Sequence, residues 1–466
     1  MLFSIPETTE ILDDNGAKFR VFHVHVNGVL HCKVRYRQFA DFNDKLKKEF
    51  SDHVPTRLFP GKKLFSLTAD QLEERRQYLE SYIQALSQDA LIASSETFKE
   101  FFLATQKATR KASAEDVDLD IYLMNGNKFT INVLSTDETD EVLEIAMTKI
   151  GLARQLFHYF GLFLMKCDES GKTTGTAVRM LQDFESPFLS LKETKEQHKI
   201  AIRKCYWSPK YDDDVMTDRV GLNLLYAQVL DDFDKGWIVT SDKEKERLKT
   251  LREAGSKKEF LNLVKGLKFY GYIQFQSCFC DFPKENSKTI FTIGDRQLCM
   301  RVLTEENTIV EGKFLVSNIK CWRLIAAEPI NGCDASMDLK FSFEYLFSKD
   351  KLKWITVFSD EGIMMSMCLQ GIVDEIIREK DGKPIRMPLS RRKSLSPPNS
   401  SRSPKKATSK HTSPVQFLSE LHDVAGSDNG GATASSKSIT SRVHDLLSKK
   451  NSLSNDVFED IGDDDL

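Results

Sequence analysis

No apolar run in this chain approaches the roughly 18 residues that a membrane-spanning helix needs, so membrane contact is expected to be peripheral. The opening MLFSIPETTE lacks the basic start and apolar core of a secretory signal. The nine cysteines are scattered and odd in number, which points to reduced thiols in the cytoplasm rather than to disulfides. Cys278 and Cys280 form a CxC pair with no second Cys or His pair at finger spacing, which argues against a metal site. There is no P-loop, HExxH, GxSxG or kinase signature set, and the histidines are not grouped with cysteines or carboxylates. Neither enzymatic activity nor a cofactor is expected. Charge bias is also missing. With 66 Lys and Arg against 69 Asp and Glu, whole-molecule attraction to nucleic acid is excluded, and any anion site must be a local patch.

What the chain has is apolar bulk. A 40% apolar share with 31 Phe can build real cores, and 466 residues suit about three domains. The runs KFRVFHVHVNG and VLHCKVRYRQF alternate like strands and meet at Asn27-Gly28, a strong hairpin signal. A helix over FADFNDKLKKEF follows, then the basic loop VPTRLFPGKKLFSL, then a long amphipathic helix for which Thr68 is the expected N-cap. From Asp118 a second hairpin turns at Asn125-Gly126 ahead of the helix TDETDEVLEIAMTKIGL and a further strand, the order of a ubiquitin-like β-grasp. Residues 208–272 read as wholly helical, and residues 273–358 as short strands closed by the helix GIMMSMCLQGIVDEIIREK. YDDDVMTD lacks the Gly and spacing of a calcium loop and reads as an acidic helix start. Beyond about residue 385 a Ser-, Pro- and Lys/Arg-rich tract has too few apolar residues for a core and is expected to be disordered.

In CKVRYRQF, read as a strand, Lys33, Arg35 and Arg37 share one face. Like charges so placed repel unless an anion opposes them. Lys62, Lys63, Arg75 and Arg76 add further cations. Leu64, Phe65 and Leu67 beside the loop lysines suit insertion into an anionic bilayer surface. A solvated basic face is the plain alternative.

Taken together, RVFHVHVNG, VRYRQF, FPGKKLFSL and EERRQYLESYI resemble a phox-homology (PX) domain over residues 1–108. The resemblance implies that Arg35 holds the 3-phosphate of phosphatidylinositol 3-phosphate and that Tyr36 packs on the inositol ring. It gives Lys62, or alternatively Lys63, the 1-phosphate, and Arg75 the remaining hydroxyls. The later pattern resembles an atypical FERM module: a ubiquitin-like lobe at 115–206, a shortened helical lobe at 207–272 and a phosphotyrosine-binding (PTB/PH)-like lobe at 273–388. A disordered tail occupies 389–466. The expected fold class is thus α+β and multidomain.

A PX domain joined to such a FERM module resembles a small group of sorting nexins. That resemblance implies a cytoplasmic monomer, peripheral on early endosomes, that captures NPxY or NxxY tails of receptors of the lipoprotein-receptor, integrin and amyloid-precursor types. Capture is by β-augmentation. NIKCWRLIAA would be the receiving edge, Trp322 the anchor, and Leu352, Val373 and Ile377 the lining; each taken alone is most often a core residue. The tail phenol is expected to be unphosphorylated. In NDVFEDIGDDDL, apolar residues interleave with six acids ahead of Leu466. The resemblance makes Ile461, Gly462, Asp463, Asp464, Asp465 and Leu466 the binding segment for the retriever recycling complex. The basic tract is a candidate to fold back on this segment or on the cargo lobe. The alternative is a FERM-type membrane–cytoskeleton linker, disfavoured by the short middle lobe, the PX unit and the absence of an actin-binding tail helix.

Overall fold

The computed structural model describes residues 2–12, 16–63, 67–167, 173–194, 198–303, 308–326, 339–349, 351–383 and 441–442. The chain divides into two compact units, one spanning Leu2–Thr109 and the other beginning at Arg110. No helix among the described residues is long and apolar enough to cross a membrane.

In the first unit, strands β1 (Phe3–Ser4), β2 (Thr8–Leu12), β3 (Lys18–Val26) and β4 (Val29–Arg35) form one sheet. The long β3 carries β4 on one edge and β2 and β1 on the other. The β3–β4 turn is made by Asn27 and Gly28, both at positive φ, as the dipeptide demands. Helices α1 (Tyr36–Phe50), α2 (Ala69–Gln88), α3 (Ala90–Ala93) and α4 (Glu96–Arg110) follow. Phe39, Phe42 and Leu46 bury one face of α1, and Phe98 and Phe102 one face of α4. Thr68 caps α2 reciprocally with Gln71.

Helix α1 begins at Tyr36, three residues before the apolar periodicity predicts. Arg37 is therefore a helical, exposed residue, and the expected face of three strand cations does not form. Strand alternation cannot reveal this, because Cys32 and Val34 are buried whether or not the strand continues.

The second unit opens with a β-grasp lobe: β5 (Asp116–Tyr122), β6 (Lys128–Leu134), α5 (Thr139–Ile150), β7 (Phe160–Cys167), β8 (Thr173–Met180), α6 (Pro187–Lys192) and β9 (His198–Lys204). The sheet order β6-β5-β9-β7-β8, with β5 and β9 parallel, is that of ubiquitin. A helical lobe follows, α7 (Asp212–Val215), α8 (Arg219–Asp234), α9 (Asp242–Glu253) and α10 (Lys257–Val264). Asp212 opens α7, in the acidic helix start read from the sequence, and is fully buried. The hydroxyls of Tyr206 and Tyr270 donate to its carboxylate at 2.5 and 2.8 Å, and Lys204 lies 3.4 Å away.

The last lobe is an antiparallel sheet of β10 (Ile273–Gln274), β11 (Cys278–Cys280), β12 (Ser287–Gly294), β13 (Gln297–Leu303), β14 (Ile309–Leu315), β15 (Ile319–Ala326), β16 (Leu339–Ser348) and β17 (Lys351–Phe358). Helix α11 (Gly362–Lys380) closes it, and β18 (Ser441–Arg442) adds to its far edge. One stripe of α11 joins the lobes. The Glu375 carboxylate accepts the backbone N–H groups of Trp207 at 2.8 Å and Ser208 at 2.9 Å, and Glu379 pairs with Lys210 and Arg296. Gly371, one turn before Glu375, gives the Trp207 indole its space: a Cβ there would lie 2.7 Å from the indole nitrogen.

Candidate functional site

Two places deserve a functional reading, one in each unit. In the first, the sharp strand-to-helix corner puts Arg35 at the N-cap of α1 and Tyr36 in its first turn. The Arg35 backbone N–H donates to Gln38 at 2.8 Å, which fixes the corner, and its guanidinium lies over the Phe19 ring of β3 at 2.9 Å. Tyr36 reaches the basic loop. Its hydroxyl donates to the Pro60 carbonyl at 2.6 Å, and its ring stacks on Phe59 at 5.9 Å.

Arg75 comes from α2 to the same place. Its guanidinium lies 4.1 Å from the Tyr36 ring centre and donates to the Gly61 carbonyl at 3.2 Å. Burial raises the Tyr36 phenol, which Arg75 opposes, and burial lowers Arg75. Lys62 and Lys63 are exposed next to Gly61. The fold thus gathers Tyr36, Arg75 and the Gly61 carbonyl, with Arg35 next to Tyr36 and Lys62 and Lys63 next to Gly61 along the chain, residue types suited to a phosphorylated sugar. Leu67 is half-buried just ahead of α2; Leu64 and Phe65 lie outside the described residues.

Arg76 does not belong to this set. It is buried, bonded to Glu73 at 2.6 Å, to Glu80 at 3.2 Å and to the Ile5 carbonyl. It pins β1 to α2. Phe19, the shelf under Arg35, was not singled out by sequence reasoning; only the register of β2–β3–β4 reveals it.

In the second unit the candidate lies between β15 and α11. Beside β15, opposite β16, the backbone of Cys321 and Trp322 pairs antiparallel with Arg442 and Ser441, so this edge takes an added strand. Trp322 is buried and points toward α11, its indole N–H donating to Ser366 at 3.0 Å. Val373 lies two turns beyond Ser366 on the same stripe and Ile377 one turn further. Val373 is buried and Ile377 half-buried. Leu352 does not join them. Ile355 and Val357 of β17 are fully buried, so strand alternation sends Leu352, with Trp354 and Phe358, to the opposite face, where it is 50% exposed. The sequence placed it in the groove by resemblance alone; strand parity removes it. Ile461 to Leu466 lie outside the described residues.

Residues 23–105 match the PX domain family, 117–207 the F1 lobe of the FERM domain of sorting nexins 17, 27 and 31, 208–268 the F2 lobe of sorting nexins 17 and 31, and 271–377 the sorting nexin 17 FERM C-terminal domain. Across 403 residues the chain is 42% identical to sorting nexin-17 of Danio rerio, covering 84% of this chain and 85% of the relative. The chain belongs to the sorting nexin-17 family. It is likewise similar to sorting nexin-17 of Homo sapiens (43% over 402 residues; 84% and 85% covered) and, further off, to sorting nexin-31 of Homo sapiens (30% over 380 residues; 80% and 86% covered). As a sorting nexin it is an adaptor of membrane sorting, with a lipid-binding PX domain ahead of the F1, F2 and F3 lobes of a FERM module.

The CxC pair falls on β11 of the F3 lobe. Both thiols are buried, which raises them, Cys280 to about 12, and Cys278 lies 3.6 Å from the Thr289 hydroxyl. Among the described residues no group of His, Cys, Asp and Glu could hold a metal ion.

Proposed function

We propose that this sorting nexin is an endosomal cargo adaptor. Its PX domain binds phosphatidylinositol 3-phosphate, its F3 lobe binds unphosphorylated NPxY or NxxY receptor tails, and Ile461–Leu466 recruits retriever to return cargo to the plasma membrane. The observation that carries the reading is the β15 edge, which already accepts a second antiparallel strand beside an apolar helix stripe, the arrangement β-augmentation requires. A receptor tail takes the same edge and replaces Ser441–Arg442 there. Trp322 supports the floor, while Val373 and Ile377 read apolar side chains of the tail.

At the PX site the headgroup phosphates replace the Gly61 carbonyl as partner of Arg75, and the sugar ring takes the place on Tyr36 that the Arg75 guanidinium fills in the free protein. Arg35 and the loop lysines supply the remaining charge. Joint engagement on one membrane multiplies weak single affinities through effective concentration.

Flotation with vesicles containing phosphatidylinositol 3-phosphate tests the lipid half. Arg35→Ala is expected to lose binding that the unsubstituted protein shows; unchanged binding refutes the assignment.

A further inference from the structure

On the outer face of the F3 sheet, away from α11, four side chains stand in one register row across four strands. Phe279 of β11 is directly opposite Lys288 of β12 on one side and Phe358 of β17 on the other, and Phe358 is opposite Lys340 of β16. The row reads Lys-Phe-Phe-Lys and ends on the half-buried Ile325 of β15. Both rings face solvent: Phe279 is 53% and Phe358 40% exposed, while their chain neighbours Cys278, Cys280 and Val357 are buried.

Two adjoining exposed phenylalanines are costly in water, and scattered single ones would need no explanation. Lys340 sits 5.1 Å from the Phe358 ring centre, and neither Lys340 nor Lys288 makes an ion pair among the described residues. Of the acids on neighbouring strands, Asp281 accepts the Thr356 backbone N–H at 2.7 Å and Glu344 lies 3.7 Å from the Cys321 thiol.

We propose that this row is a second membrane contact, inserting Phe279 and Phe358 at an anionic phospholipid surface while Lys288 and Lys340 lie on the headgroups. Charge decides the occupant. Rings that sink to the acyl boundary, bracketed on both sides by cations on long apolar stems, complement a negative interface along its whole length. The contact needs no specific headgroup and does not depend on the PX assignment.

The test uses the full chain with phosphatidylcholine vesicles, with and without phosphatidylserine, all free of phosphoinositide. Quenching of tryptophan by brominated acyl chains reports insertion. Trp354 lies on this face of β17, and Trp354→Phe identifies its share of the signal. Quenching of Trp354 is expected with phosphatidylserine. Phe279→Ser with Phe358→Ser should weaken binding by about tenfold or more, the loss of two apolar anchors. Lys288→Glu with Lys340→Glu should weaken it on anionic vesicles only, and serves if the serine variant folds poorly. Three outcomes overturn the proposal: no Trp354 quenching, binding by both double variants unchanged from the unsubstituted protein, or loss of self-association instead of lipid binding, which would make the face a contact for a second copy.

Discussion

Replacing Glu375 by Ala tests how far this buried carboxylate holds α11 to the rest of the FERM module. The Glu375 oxygens accept two backbone N–H groups, at 2.8 and 2.9 Å from Trp207 and Ser208, and the side chain is buried. Alanine leaves both donors without a partner, at about 1–3 kcal/mol each. Burial raises the Glu375 carboxyl, so part of that loss is offset by removing a desolvated acid. The net cost is about 2–4 kcal/mol, which for a unit of this size lowers the melting midpoint by roughly 4–16 °C. Glu375→Gln keeps one acceptor and should cost about half as much. Tryptophan fluorescence is the assay, because Trp207, Trp237, Trp322 and Trp354 all lie in the second unit and the PX unit has none. A Glu375→Ala midpoint within about 1 °C of the unsubstituted protein would refute the reasoning.

Gly371→Ala should destabilise the same unit by about 1–3 kcal/mol, since the new Cβ would sit 2.7 Å from the Trp207 indole nitrogen. The gain of about 1 kcal/mol in helix propensity does not compensate, so a higher melting midpoint for this variant would be contrary evidence. The neighbours Arg75 and Arg76 should behave oppositely. Arg75→Ala leaves the PX unit folded and weakens vesicle binding, whereas Arg76→Ala removes a buried guanidinium from half-buried Glu80 and from the Ile5 carbonyl and costs about 1–3 kcal/mol; equal circular-dichroism melts would contradict this. Asp232 is held up to about 6 by burial, against Arg203 at 4.0 Å. Its pKa is raised on folding, so its contribution is present below about pH 4 and lost as pH rises through 6. The lost stability is about 3 kcal/mol at most. Denaturant titrations of the unsubstituted protein and Asp232→Asn should therefore diverge between pH 4 and 7, and parallel curves would exclude it.

Much of the fold was legible because local signals and global packing agree. Asn27-Gly28 adopts the two positive φ values its type I′ turn requires, Thr68 caps α2, and the strand–strand–helix–strand order after Asp118 does build a β-grasp. What failed depends on which neighbour a residue meets. Arg37 left the strand because α1 starts at Tyr36, a boundary set by the Gln38 cap rather than by apolar periodicity. Arg75 and Arg76 look alike in sequence, yet helix geometry sends one to Tyr36 and the other to Glu80 and β1. Leu352 was assigned to the groove, but the pleat of β17 faces it away from Trp322. The buried role of Asp212 could not be read, since its partners Tyr206 and Tyr270 lie on either side of the helical lobe in sequence.

The central claim is that the F3 edge captures an unphosphorylated receptor tail. Calorimetric titration of the full chain with an unphosphorylated NPxY peptide, beside Ile377→Glu, tests it most directly, because Ile377 is half-buried and its replacement perturbs the core less than that of Trp322. The account predicts micromolar binding by the unsubstituted protein, lost in the variant and not strengthened when the peptide tyrosine is phosphorylated. Absent binding, or equal binding by both proteins, would contradict it.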